Sequence, residues 1–167
     1  MSAIANSQAK KINTKKSLLV LVSLVELVII IFMIYNNDHK ALIQQRKFDQ
    51  DFIQLLDLSN NALELVAKSG DTPDLRSNMV SSAASSISSA YSLVRYTSYT
   101  KENIAYGGLL ENYKSVFINV PIGKLIANSG TFASYMKDIL IDTHSKEKVD
   151  KFTDYLITFQ IQNAVNK

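Results

Sequence analysis

The segment from Ser17 to Tyr35, SLLVLVSLVELVIIIFMIY, constrains this chain more than any other: it is an unbroken apolar run whose one ionisable side chain is Glu26, near its middle. At a rise of about 1.5 Å per residue, such a run approaches the roughly 20 residues that cross a bilayer core. It is also longer than a buried helix usually needs. We read it as a transmembrane helix, so the rest of the chain must build its core without it.

The flanks give a direction. Lys10, Lys11, Lys15 and Lys16 precede the run with no acid among them, while a mixed Asn36-Asn37-Asp38-His39-Lys40 follows it. The excess of lysine on one side predicts a cytoplasmic N-terminus and an exported C-terminal part. Three segments result: a basic tail over 1–16, a membrane helix over 17–35 and an extracytoplasmic helical domain over 36–167. A cleaved signal peptide shares the basic-then-apolar layout, but this run is long for a signal core, and Ile34-Tyr35-Asn36-Asn37 lacks a small-x-small cleavage site. The expected location is therefore the cytoplasmic (inner) membrane, as an uncleaved single-pass anchor.

The formal charge of +3 comes mostly from the tail. Four of the 18 basic residues precede the run and one of the 15 acids lies inside it, which leaves equal numbers of each beyond Tyr35. A balanced, interspersed surface offers no clustered field for phosphates, so a nucleic-acid partner is excluded. Absence of cysteine rules out disulfides and thiolate metal sites and leaves the compartment open.

From Ser17 no glycine or proline occurs before Gly70. Phe48, Phe52, Leu55, Ala62 and Val66, with Leu56 and Leu63 beside them, recur at helical spacing, which predicts that the membrane helix runs on to Lys68, with Asn36-Asn37 the expected kink. Gly70 ends that helix, and Asp71-Thr72-Pro73-Asp74 opens a second, expected over about Pro73 to Thr97, with Leu75, Met79, Ala83, Ile87, Ala90 and Val94 on one side and a serine-crowded remainder. A third helix is expected from a Thr100 cap, broken by Gly107-Gly108 and Val120-Pro121. Ser129-Gly130-Thr131 reads as a turn before Phe132 to Asp142. Ser145 then caps a last helix carrying Val149, Phe152, Leu156 and Phe159. No segment alternates with the two-residue period of strands for long enough to compete; Lys114 to Asn119 is the best candidate. The fold class is all-α: a single N-terminal transmembrane helix continuing into the long helix of an antiparallel helical bundle.

Glu26 is the most informative side chain, because an acid at the middle of a membrane helix costs about 2.5–3.5 kcal/mol on insertion scales. An intramembrane partner contact offsets such a cost; an ion-carrying carboxylate and a neutral passenger are the alternatives. Ser23-Leu24-Val25-Glu26-Leu27-Val28-Ile29-Ile30-Ile31 resembles the start of type IV pilin and pseudopilin helices, which carry an acid at the fifth position of a similar segment. That resemblance implies a pilin-like assembly subunit. The chain departs from it in having Leu21 where those proteins have a processing glycine. The architecture is also similar to the smaller subunit of ion-driven stator motors, which implies an ion-linked role for Glu26; those proteins use aspartate and mixed α/β exported domains, and this chain shows neither.

No catalytic pattern occurs. His39 and His144 have no metal-ligand spacing, nucleophile-elbow and phosphate-loop motifs are absent, and acidic pairs such as Asp49/Asp51 and Asp138/Asp142 fall on expected solvent faces. No enzyme, cofactor or metal is expected. Tyr91, Tyr96, Tyr99, Tyr106 and Tyr113 concentrate in mid-domain, where amphipathic rings suit either a docking face or half-buried bundle positions. The function expected is a structural or assembly subunit docking to other membrane or envelope proteins, with a second copy of itself an admissible partner. An extracytoplasmic sensory or small-ligand-binding bundle is the alternative, although signalling normally needs a second membrane helix or an output domain, and neither is expected in this chain.

Overall fold

The computed structural model describes the backbone of residues 2–68, 70, 72–100, 102 and 104–164, and their side chains from Leu21 onward. Lys10, Lys11, Lys15 and Lys16 thus lie outside the described side chains, as does Asp71. Helices account for almost all of it, and no strand occurs among the described residues. The elements are α1 (Ser2–Lys68), α2 (Pro73–Leu93), two single 3-10 turns (Val94–Tyr96 and Ser98–Thr100), α3 (Tyr106–Asn119), α4 (Ile122–Ile141) and α5 (Lys146–Asn163). The chain forms two compact units, residues 1–44 and residues 45–167.

In the first unit the described part of the apolar run is exposed throughout: Leu24, Val28, Phe32 and Ile34 are each more than half accessible. This is the one described helix long and apolar enough to cross a membrane. The kink expected at Asn36-Asn37 is absent, since both residues are helical. Neither lacks a backbone amide, so neither compels a break.

The second unit is a five-helix bundle. The last stretch of α1 lies beside α2 and α4: Leu55 and Leu58 share a groove with Ser89 and Leu93, and Ile53 shares another with Leu140. α2 packs on α3 and α4, and α5 on α3 and α4. α3 and α5 run parallel: Tyr106 Oη donates to Thr143 O (2.8 Å), Tyr113 and Phe152 have ring centroids 5.1 Å apart, and Gln160 Nε2 donates to Ser115 Oγ (2.9 Å). The core is one cluster in which Phe52, Leu56, Leu63, Ile87, Tyr106, Leu109, Leu110, Tyr113, Phe132, Met136, Phe152 and Leu156 are fully buried.

Local chemistry sets most boundaries. Pro73 opens α2 in its first turn, where a missing amide costs no hydrogen bond. Thr72 stands at the N-cap but makes no side-chain capping bond. Ser145 does cap α5, its hydroxyl accepting from Lys148 N. Pro121 separates α3 from α4.

Four expectations are corrected. α2 stops at Leu93, short of Thr97, because the Val94 carbonyl is taken by Thr97 N (3.1 Å), Thr97 Oγ1 (2.6 Å) and Thr100 Oγ1 (2.7 Å), which tightens the chain into 3-10 turns. α3 begins at Tyr106, beyond the expected Thr100 cap, and Gly107-Gly108 lie in its first turn instead of breaking it; helical amides there have no intrahelical acceptor to lose. Ser129-Gly130-Thr131 is interior to α4. A Cβ at Gly130 would lie 3.4 Å from Ala67 Cβ, an ordinary van der Waals contact, so α1 and α4 pass near each other here without requiring glycine. Lys114 to Asn119, the best strand candidate, is helical, in keeping with the all-α class.

Candidate functional site

Glu26 stands on the exposed surface of α1, with no ion-pair partner among the described residues. Helical spacing puts Val22, Ser23, Ile29, Ile30 and Met33 on the same face. That face is apolar except for one hydroxyl and one carboxyl, a pair of groups suited to a hydrogen bond across to a facing helix. One turn past the run, the rings of Tyr35 and His39 lie parallel with centroids 6.3 Å apart.

The five tyrosines separate into two classes. Tyr99 is 5 % accessible, and Tyr106 and Tyr113 are closed off completely, whereas Tyr91 and Tyr96 are 36 % and 50 % accessible. Burial removes Tyr99, Tyr106 and Tyr113 from the expected docking face and leaves Tyr91 and Tyr96. The three buried rings knit the bundle: Phe52 meets Tyr99 at 5.5 Å and Tyr106 at 5.2 Å, while Tyr113 meets Phe132 at 5.7 Å. A signal for this is present in the sequence. Tyr106 and Tyr113 are seven residues apart, with Leu109, Leu110 and Val116 on the same face, which is the pattern of a core stripe.

Around Tyr96 and Tyr99 the connection from α2 to α3 is fastened to the start of the α1 bundle segment. Gln45 Nε2 donates to Tyr96 O (2.7 Å), Asp49 accepts from Ser98 N (2.7 Å), and Phe48 lies against the Tyr96 ring at 5.4 Å. On the other side, His144 Nδ1 pairs with Glu102 Oε2 at 2.6 Å, and the His144 ring rests 5.3 Å from Tyr99. Asp49, expected on a solvent face, is therefore half-buried and structural, and His144 sits in the turn before α5, as its position predicts. These residues make an ordered polar clasp. They do not converge on a common point as nucleophile, base and oxyanion donors would.

Between this connection and α3 lies a cleft of about 540 Å³, lined by Tyr91, Ser92, Val94, Arg95, Thr100, Ile104, Ala105 and Gly107. The Arg95 guanidinium lies over the Tyr96 ring, 4.9 Å from its centroid, and has no carboxylate partner among the described residues. The Lys114 ammonium lies 5.3 Å from the Tyr91 centroid. Sequence reasoning reached Tyr91 here but missed Arg95, which no motif marks. No group of three or more potential metal ligands occurs among the described residues.

Burial raises the hydroxyl pKa of both inner tyrosines. Desolvation pushes Tyr106 up, with smaller contributions from Tyr99 and Asp142; Tyr113 rises well above the ordinary tyrosine value for the same first reason, with Tyr155 adding to it, and its hydroxyl has no hydrogen-bond partner. Below about pH 10 both folded and unfolded chains keep these protons, so stability is unaffected. Above it the unfolded chain ionises first, and stability falls by up to about 1.4 kcal/mol per pH unit for each tyrosine until the native pKa is passed. An alkaline titration followed by phenolate absorbance and circular dichroism should show these two hydroxyls ionising only as the helices melt. Ionisation of all eight tyrosines with the helices intact is the opposite result. Comparison with known protein families, with curated proteins and with solved structures found no match for this chain.

Proposed function

We propose that this chain is a single-pass membrane subunit that anchors and positions a helical domain within a larger membrane or envelope assembly. The anchor is the run Ser17–Tyr35, the N-terminus is cytoplasmic and the domain is extracytoplasmic. Glu26 selects the intramembrane partner, and Tyr91 and Tyr96 belong to the docking face of the domain.

The observation that carries this reading is a contrast in burial. The bundle buries a continuous apolar core, but none of the apolar window of α1 is covered by the protein. At roughly 25 cal/mol per Å² of apolar surface, leaving so many branched aliphatic side chains in water is prohibitive, and lipid removes that penalty. The Tyr35–His39 pair at the end of the run suits the headgroup region, where amphipathic rings collect. Glu26 adds the case for a partner, since an isolated carboxyl in lipid is expensive.

Because the chain contains no cysteine, single cysteines report topology directly. Ser81→Cys, at an exposed position on α2, is expected to react with a membrane-impermeant maleimide in intact cells, and Ser2→Cys only after lysis. Labelling of both from the same side would overturn the reading.

A further inference from the structure

We infer that the cleft between the end of α2 and the first turn of α3 binds a small carboxylate carrying an aromatic or short apolar body. This goes beyond the assembly role and does not depend on it. The cleft's volume, about 540 Å³, lies within the roughly 300–1,000 Å³ of small-molecule sites. Tyr91, Val94, Ile104 and Ala105 supply apolar walls. Among the described residues no acid lines it, while Arg95 does, and the Lys114 ammonium lies 5.3 Å from the Tyr91 ring centroid.

The polar groups of the cleft differ in availability. Thr100 Oγ1 already donates to Val94 O and Ser92 Oγ to Ser88 O. The Arg95 guanidinium, which lies over the Tyr96 ring and has no carboxylate partner among the described residues, is a charged donor whose fork matches two carboxylate oxygens. Preorganisation of that kind lowers the entropy lost on binding.

Gly107 lines the same cleft. A glycine in a helix is destabilising relative to alanine, and it is usually explained by a close neighbour or an unusual backbone angle. Gly107 has neither: a Cβ there would meet nothing within 4 Å. Its missing side chain leaves the backbone of the cleft open, so that a ligand oxygen can come close to the Gly107 and Gly108 amides; the Tyr106 amide already donates to Ile104 O (2.8 Å). The carboxylate is placed between Arg95 and these amides, and the ring or chain of the ligand between Tyr91 and Ile104.

The test uses the full chain in a non-ionic detergent, labelled with 3-fluorotyrosine, with phenylacetate as the probe and the Tyr91 resonance assigned by Tyr91→Phe. A saturable shift of that resonance is expected with phenylacetate and none with phenethylammonium, which has a similar body and the opposite charge. Arg95→Gln should weaken binding at least tenfold. Gly107→Ala should weaken it while raising the melting temperature, so loss of binding cannot be ascribed to unfolding. The inference is overturned if the shift does not saturate, if the ammonium produces it equally, or if both substitutions leave binding unchanged.

Discussion

Replacing Phe152 by alanine is expected to lower the stability of the helical domain by about 3–5 kcal/mol, a large share of the 5–15 kcal/mol that holds a typical domain folded. Phe152 is fully buried on α5, and its ring meets Tyr113 edge-on at 5.1 Å from α3 and Tyr135 face-on at 5.1 Å from α4. One truncation therefore removes contacts to two other helices and leaves a cavity that rigid aromatic neighbours cannot collapse into. Urea unfolding of the full chain in mild detergent, followed by tyrosine near-ultraviolet dichroism, would measure it. Phe152→Leu should lose markedly less, because it retains most of the volume. A loss below about 1 kcal/mol for the alanine variant would mean that the three rings are not packed as described.

Substituting Glu26 by leucine is expected to act in opposite directions on two measurements. Insertion of the apolar helix should become easier by about 2.5–3.5 kcal/mol, because the one ionisable group in the run is gone. Association with the membrane partner should weaken, since a hydrogen bond between membrane helices contributes about 1–2 kcal/mol, or roughly 5- to 30-fold in affinity. Glu26→Gln keeps the hydrogen-bonding capacity without the charge and is expected to retain most of the association. Insertion is read in a glycosylation-reporter assay and association by quantitative co-isolation in mild detergent. Improved insertion with undiminished association would identify Glu26 as a passenger and remove it from the docking mechanism.

The long helix, its end before Gly70 and the starts of α2 and α5 were legible because they depend on a few adjacent residues: an apolar repeat, a proline in a first turn, a serine cap. Glycine was the unreliable sign. At Gly107 and Gly130 it was read as punctuation, but its helix penalty of about 1 kcal/mol is smaller than what tertiary packing supplies around Tyr106 and between α1 and α4. The early stop of α2 was hidden for a different reason, since it depends on two threonine hydroxyls reaching back to the Val94 carbonyl. The tyrosines mislead by composition: clustering along the chain suggested a surface, whereas their seven-residue spacing placed Tyr106 and Tyr113 inside. Arg95 and its cleft were not legible at all, because the cleft exists only once α2, the 3-10 turns and α3 are assembled.

The placement of the last part of α1 has a consequence for biosynthesis. Its neighbour α4 approaches at Ala67 and Gly130, and Glu64, held below the ordinary carboxylate range chiefly by hydrogen bonds from Lys68 and Asn60, also feels Lys137 across the same groove. Leu63 and Val66 thus wait, uncovered, while some seventy further residues leave the ribosome, because loop closure to a distant helix cannot precede that helix's synthesis. During that interval the nascent chain holds a sticky, half-finished ridge that stays open to non-native contacts until α4 arrives.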